Sequence, residues 1–251
     1  MPRYRDLYNV GRGDYKRSKW IRKGRKRWAD EQSVLFYRMA FIVFHTIYRF
    51  WVRCYRSFGE ENVPKSGSIF VLANHTTGMD PFLLGYGALD RMLCGPGKIE
   101  LFVSPFWGWA MRKIGMFPLR QKVADAASVR TMIELYRSGR AVVIFPEGGR
   151  SRTGELQPFV PDVTRLMIRM KARAVPCAVA GGTQLLPMGA RFIRRRTPVV
   201  VGFGPEIDLS EFYSRQLTPE LVAEATELLH DRVAALLTEA ERRRAQMAQD
   251  C

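Results

Sequence analysis

Ile69-Phe70-Val71-Leu72-Ala73-Asn74-His75-Thr76-Thr77-Gly78-Met79-Asp80-Pro81 starts as a buried strand and ends as the first turn of a helix. Residues 69–73 are a short apolar, partly β-branched run, and Asp80-Pro81 precedes Phe82-Leu83-Leu84 like an N-cap with proline at the first helical position. On one continuous helix, residues five apart point about 140° from each other, so His75 and Asp80 meet only if the chain turns between them. Thr76-Thr77-Gly78 supplies that turn. A carboxylate on one imidazole nitrogen fixes the tautomer and leaves the other nitrogen to take a proton, the arrangement of a general base. The spacing alone is weak: with three His and ten Asp in 251 residues it arises by chance about once in eight. An N-capping Asp beside a surface His is the structural alternative.

A second segment repeats the pattern. Ala141-Val142-Val143-Ile144-Phe145 is another short apolar run, and it leads into Pro146-Glu147-Gly148-Gly149-Arg150-Ser151-Arg152. If both strands are parallel, both polar loops leave the carboxyl edge of one sheet, where open α/β sheets bind ligands. Gly148 and Gly149 allow close backbone approach, and Arg150 and Arg152 offer planar, permanently charged forks suited to phosphate. Further on, Gly115-Met116-Phe117-Pro118-Leu119-Arg120 ends an extended piece with an arginine, and Val175-Pro176-Cys177-Ala178-Val179 continues the strand pattern. The expected fold class is therefore α/β: a single catalytic domain with a mostly parallel central sheet covered by helices.

Asn74-His75-(four residues)-Asp80, then Phe117-Pro118-Leu119-Arg120, then Phe145-Pro146-Glu147-Gly148-Gly149-Arg150-Ser151, then Val175-Pro176 resembles the four sequence blocks of the glycerolipid acyltransferase family, which includes 1-acylglycerol-3-phosphate acyltransferases. The resemblance covers roughly residues 60–205. It implies transfer of a fatty acyl group from a thioester of coenzyme A or acyl carrier protein to a glycerolipid hydroxyl, giving phosphatidic acid when the acceptor is 1-acylglycerol-3-phosphate. It implies His75 as general base and Asp80 as the residue that orients it. It implies Arg120, Glu147, Gly148 and Arg150 as acceptor-binding residues, and Lys98 looks like a phosphate-contacting lysine found between the first two blocks. Gly149 stands where the family pattern commonly has Thr, Thr77 where it commonly has Ser, and Pro118-Leu119 replaces an aliphatic-Asp pair. No cofactor is implied, since the acyl thioester is a substrate, and no metal site is expected.

The chain carries net charge +16, with 40 Lys and Arg against 24 Asp and Glu. Residues 1–31 hold 11 of those cations and 4 of the acids, a basic arm. Such a balance fits nucleic acid, anionic membrane or an acidic substrate, and residues 34–58 discriminate. Nearly all are apolar, while Arg38, His45, Arg49 and Arg56 fall at spacings that stack into one stripe on a helix, with Arg53 beside it. Only ten residues separate Arg38 from Arg49, too few to cross a bilayer. The expectation is an amphipathic helix in the interface of an anionic phospholipid membrane, helped by the basic arm. A helix packed on the catalytic domain is the other reading, and the apolar arc is wide enough for both. Residues 1–58 are thus assigned to the arm and interfacial helix, and 59–251 to the catalytic domain with a C-terminal helix. No secretory leader is expected, and no nucleic-acid partner. Four scattered cysteines, Cys54, Cys94, Cys177 and Cys251, indicate neither zinc nor a disulfide framework, which fits a peripheral or monotopic position on a cytoplasmic membrane face.

Helices are expected over 123–138 and 160–171, a strand over 198–203, and a long helix from Thr218-Pro219-Glu220 with a solvated end over 239–249. Phe102, Phe106, Trp107, Trp109 and Phe117 read as core aromatics or as the lining of an acyl-chain channel. Two functions of different class remain: a membrane-associated acyltransferase for lysophosphatidate or another lysolipid or glycerol-phosphate acceptor, and a non-enzymatic basic protein that binds anionic lipid or nucleic acid.

Overall fold

A computed structural model of the chain describes residues 32–52, 54–119, 126–190, 192–194 and 197–250. The elements run α1 (Val34–Val52), β1 (Tyr55–Phe58), β2 (Ile69–Ala73), α2 (Asp80–Gly87), β3 (Leu93–Lys98), α3 (Pro105–Lys113), β4 (Met116–Leu119) and α4 (Ala126–Arg137). They continue with β5 (Ala141–Ile144), α5 (Pro161–Met170), β6 (Ala174–Ala180), α6 (Gly182–Leu185), β7 (Val199–Phe203), α7 (Ser210–Tyr213) and α8 (Pro219–Asp250).

The strands form one sheet in the order β1-β7-β6-β2-β5-β3-β4. β6, β2, β5, β3 and β4 are mutually parallel; β7 is antiparallel to β6, and β1 is parallel to β7, so these two edge strands run the other way. The expected mostly parallel sheet is present. All five residues of β2 and all seven of β6 are buried, as continuous apolar runs in a sheet covered on both faces must be. Alternation divides them between two layers: Phe70 and Leu72 pack in one core, Ile69, Val71 and Ala73 in the other.

Two assignments at the chain ends are corrected. The helix expected through residue 58 stops at Val52, and Tyr55–Phe58 is a strand in register with Val199–Gly202. The boundary of the sheet domain therefore precedes residue 59, and Arg56 stands on a strand instead of in the helical stripe. Tyr55 is a β-former whose hydroxyl donates to the Leu83 carbonyl at 3.0 Å, and sheet pairing outweighs the helical spacing. At the other end, residues 239–249 are not a solvated tail: α8 continues to Asp250, and its Ala240 and Met247 are buried against Ala178, Ala180 and Val200. Cys54 is disulfide-bonded, which the scattered cysteine spacing did not indicate; sequence separation alone carries no information on which cysteines pair.

α1 packs on α2 and α3 through Tyr37 and Phe41, both buried. Gly85 makes the approach possible, since a Cβ there would lie 2.4 Å from the Phe41 ring, and the Tyr37 hydroxyl donates to the Gly85 carbonyl at 3.1 Å. Among the described residues no helix is long and apolar enough to cross a membrane. The basic arm, Arg53 and the side chains of His45 and Arg49 lie outside the described residues.

Candidate active site

β2 and β5 are neighbours in parallel register, Leu72 opposite Ile144, so the loops after Ala73 and Ile144 leave the sheet side by side. In the first loop the chain turns through Thr76-Thr77-Gly78 and brings His75 Nδ1 to 2.8 Å from Asp80 Oδ2. The same oxygen accepts the backbone N–H of Thr76 at 2.7 Å and of Thr77 at 2.9 Å. Asp80 is fully buried, so the carboxylate acts as the hub of the turn. A carboxylate only accepts, which assigns the proton to Nδ1 and leaves Nε2 with its lone pair. The imidazole lies flat against Phe145, ring centroids 4.0 Å apart at 18°. His75 is thus clamped at one nitrogen and one face, with its side chain 17% exposed.

The second loop holds the first. Glu147 Oε1 accepts the backbone N–H of His75 at 2.6 Å and Oε2 that of Gln157 at 3.0 Å. The Ser151 N–H donates to the His75 carbonyl at 2.7 Å. Burial pushes the Glu147 carboxyl above its ordinary value, opposed by those two N–H bonds. Glu147, expected as an acceptor-binding residue, therefore has both oxygens engaged in holding the histidine loop. Gly148 adopts φ 72°, the left-handed region that lets the loop turn back after Glu147. Arg150 is half-buried and has no ion-pair partner among the described residues. Lys98, exposed, ends β3 at the same edge, two strands from β2. Arg120 lies outside the described residues; its neighbour Leu119 pairs with Lys98.

Three supporting residues escaped the sequence reading. Asn74 is buried and clips β2 to β6, its Nδ2 donating to the Val179 carbonyl at 3.1 Å and its Oδ1 accepting the Val179 N–H at 2.8 Å. An amide directly after an apolar run was the available signal. Phe145 was read as the end of a strand and supplies the flat wall behind His75. Gly182 opens α6 against the dyad turn, and the signal there was a glycine pair immediately after β6. Asp80 Oδ1 and Thr76 Oγ1 are buried with no hydrogen-bond partner, and both face Gly182. Among the described residues no group of His, Cys, Asp or Glu is arranged to hold a metal ion.

An imidazole clamped on a buried carboxylate, beside a glycine loop with an arginine that has no ion pair among the described residues, stands at the carboxyl edge of a parallel sheet, where open α/β folds place their ligand sites. A model of the acyltransferase family matches residues 55–180, half of the chain and the span that carries both loops. The chain belongs to that family. It is 31% identical over 139 residues to the chloroplastic 1-acyl-sn-glycerol-3-phosphate acyltransferase BAT2 of Brassica napus, spanning 54% of this chain and 40% of that one. It is 27% identical over 179 residues to 1-acyl-sn-glycerol-3-phosphate acyltransferase of Bacillus subtilis, spanning 71% and 86% respectively. It shares the fold of the 1-acyl-sn-glycerophosphate acyltransferase PlsC of Thermotoga maritima, with TM-score 0.62, 24% identity, and 93% and 86% of the two chains covered.

Proposed function

We propose that the protein transfers a fatty acyl group from an acyl thioester, carried by coenzyme A or acyl carrier protein, to the free hydroxyl of 1-acylglycerol-3-phosphate at an anionic membrane surface. The observation that carries the reading is the 2.8 Å contact between His75 Nδ1 and Asp80 Oδ2, which leaves Nε2 as a base between the two loops. Kinship to the acyltransferases supports the reaction class, and the acceptor follows from relatives bearing that name.

In this reaction the acceptor hydroxyl gives its proton to His75 Nε2 as its oxygen attacks the thioester carbonyl carbon. The tetrahedral adduct collapses, the C–S bond breaks, and the leaving thiolate takes the proton back from the imidazolium. Asp80 stabilises the imidazolium that forms between those steps. A positioned base contributes about 10²- to 10⁴-fold. Arg150, with Lys98 and Arg120, anchors the acceptor phosphate and so holds the hydroxyl at the base; good orientation supplies up to about 7–11 kcal/mol. α1 lies at the membrane with one face docked on the domain and the other on lipid, giving a peripheral or monotopic enzyme.

The test is His75→Ala in purified protein with 1-acylglycerol-3-phosphate and an acyl thioester. Transfer falls by about 10³-fold or more while vesicle binding is retained. Undiminished transfer by the variant removes His75 from the mechanism. A wild type that acylates no lysolipid leaves the basic lipid-binding protein as the function.

A further inference from the structure

The short 3-10 turn Ile99–Phe102 and α3 carry an unusual run of exposed apolar side chains. Leu101 is 40% exposed, Val103 59%, Phe106 64%, Trp107 56% and Trp109 43%. The sequence allowed core or channel for the three aromatics on α3; in the fold all three are exposed, so none is a core residue. Soluble surfaces rarely leave such a cluster open, and contiguous apolar patches mark interaction sites.

The cluster continues a second exposed face. At 100° per residue, Ile42, Leu35, Met39 and Val43 occupy one arc of α1 about 100° wide, opposite the buried Tyr37 and Phe41. These four are each at least half exposed. Phe36, on the flank of that arc, meets Trp109 edge-on with centroids 5.1 Å apart, which joins the α1 face to α3.

Charge selects the occupant. The chain is +16, its first 31 residues precede α1 with 11 Lys and Arg, and the turn, whose single acid is Glu100, follows Lys98 and leads into α3, which ends in Arg112-Lys113. Cations rimming tryptophan and phenylalanine are the pattern of a surface that sits in headgroups with its rings among acyl chains. Position agrees: the turn leaves the carboxyl end of β3, the edge that carries His75 on β2, two strands away and hence about 10 Å across the sheet.

We propose that the 3-10 turn and α3 form a second lipid-inserting element, with Phe106 and Trp107 entering an anionic bilayer beside α1 and holding the catalytic edge at the lipid surface. The inference rests on the membrane reading above and adds a site to it. Insertion at two points fixes the tilt of the domain, which one helix lying flat does not.

The test compares the full chain, Phe106→Ser/Trp107→Ser, and Leu35→Ser/Val43→Ser for sedimentation with vesicles of phosphatidylcholine and phosphatidylglycerol. The α3 variant is expected to lose about tenfold or more in partitioning. Its turnover of a short-chain, monomeric lysophosphatidate should stay within about twofold of wild type. Brominated lipid should quench wild-type emission more than that of Trp107→Phe. If only the α1 variant loses binding, the second element is overturned and the membrane reading stands; if neither does, the membrane reading falls too. Equal loss of turnover on the monomeric acceptor would make the cluster part of the acyl site, and a wild-type dimer that the α3 variant dissociates, with vesicle binding intact, would make it a contact between copies. Either result overturns the proposal.

Discussion

Gly182→Ala tests whether the dyad depends on the space beneath its turn. A Cβ at residue 182 would stand 2.3 Å from Thr76 Oγ1, 3.1 Å from Thr77 Cγ2 and 3.2 Å from Asp80 Oδ1, all on the turn that joins His75 to Asp80. Gly182 is not among the glycines with positive φ, so its backbone accepts alanine, and alanine favours a helix start by up to about 1 kcal/mol. Only the contact opposes the change. Relieving 2.3 Å to an ordinary separation moves the Thr76 side chain by about 1 Å, at the usual overpacking cost of about 1–3 kcal/mol. Of the other two staggered Thr76 rotamers, one puts the methyl in the hydroxyl's place, and only the one that puts the β-hydrogen there relieves the contact, at the cost of a χ1 change in a β-branched residue. A shift of about 1 Å in a positioned group costs about 10²-fold in rate. The expected result is a kcat about a hundredfold down, acceptor KM within about threefold, and a Tm lowered by about 2–10 °C. Thr76→Ala, which removes a hydroxyl with no hydrogen-bond partner, should alone cost less than about tenfold and should restore most of the activity of Gly182→Ala when combined with it. A Gly182→Ala enzyme with wild-type kcat refutes the reasoning, and so does a double variant as slow as the single.

Glu147→Gln keeps the shape but puts an NH2 against one of the two backbone donors, from His75 or from Gln157, losing a charge-assisted bond of about 1.5–3 kcal/mol. Kcat should fall about 10–100-fold with acceptor KM nearly unchanged; a raised KM with intact kcat would give the carboxylate to the substrate instead. Because burial raises the Glu147 pKa above its ordinary 4.5, the folded chain holds that proton more tightly than the unfolded one, and the associated stability is full below 4.5 and lost as pH rises through the folded value. Urea midpoints should therefore decline less over that window in Glu147→Gln, and identical slopes would refute the linkage. Phe145→Leu removes the flat wall against His75, a stack of about 0.5–1.5 kcal/mol, and should slow kcat about three- to tenfold where Phe145→Tyr does not; equal rates for all three proteins would show that the stack does not orient the base.

The parts legible in the sequence are those whose partners are local. Ile69–Ala73 and Ala141–Ile144 read as strands from apolar content alone, and Asp80-Pro81 marks α2 because an N-terminal proline is a local signal. β1 was hidden because Tyr55–Phe58 continues an apolar helix without a break, and only pairing with β7, more than 140 residues on, makes it a strand. β3 carries Gly95-Pro96-Gly97 in its interior, and Gly97 fits there because Met116 and Phe102 occupy the space a side chain would take. In the site, the dyad was legible from spacing, while Asn74, Phe145 and Gly182 act across strands and left only their residue types as a trace.

Glu147 shows where residue type and role part company. The family resemblance places it with the acceptor anchors, and its geometry places it beneath His75. His75 donates its N–H to the Glu147 carboxylate and accepts at its carbonyl from Ser151, so the β5 loop grips the β2 loop at both backbone groups of His75. Arg150 lies between those two gripping positions in the chain. Under the proposed function, a phosphate drawn onto Arg150 pulls on the segment that fixes His75, so acceptor binding and base placement would share one mechanical element. Substituting Arg150 should then lower kcat as well as raise KM, while Glu147→Gln acts on kcat alone. A purely KM effect at both Glu147 and Arg150 would separate anchor from base and break the argument, whereas a joint effect makes the two loops a single unit of function.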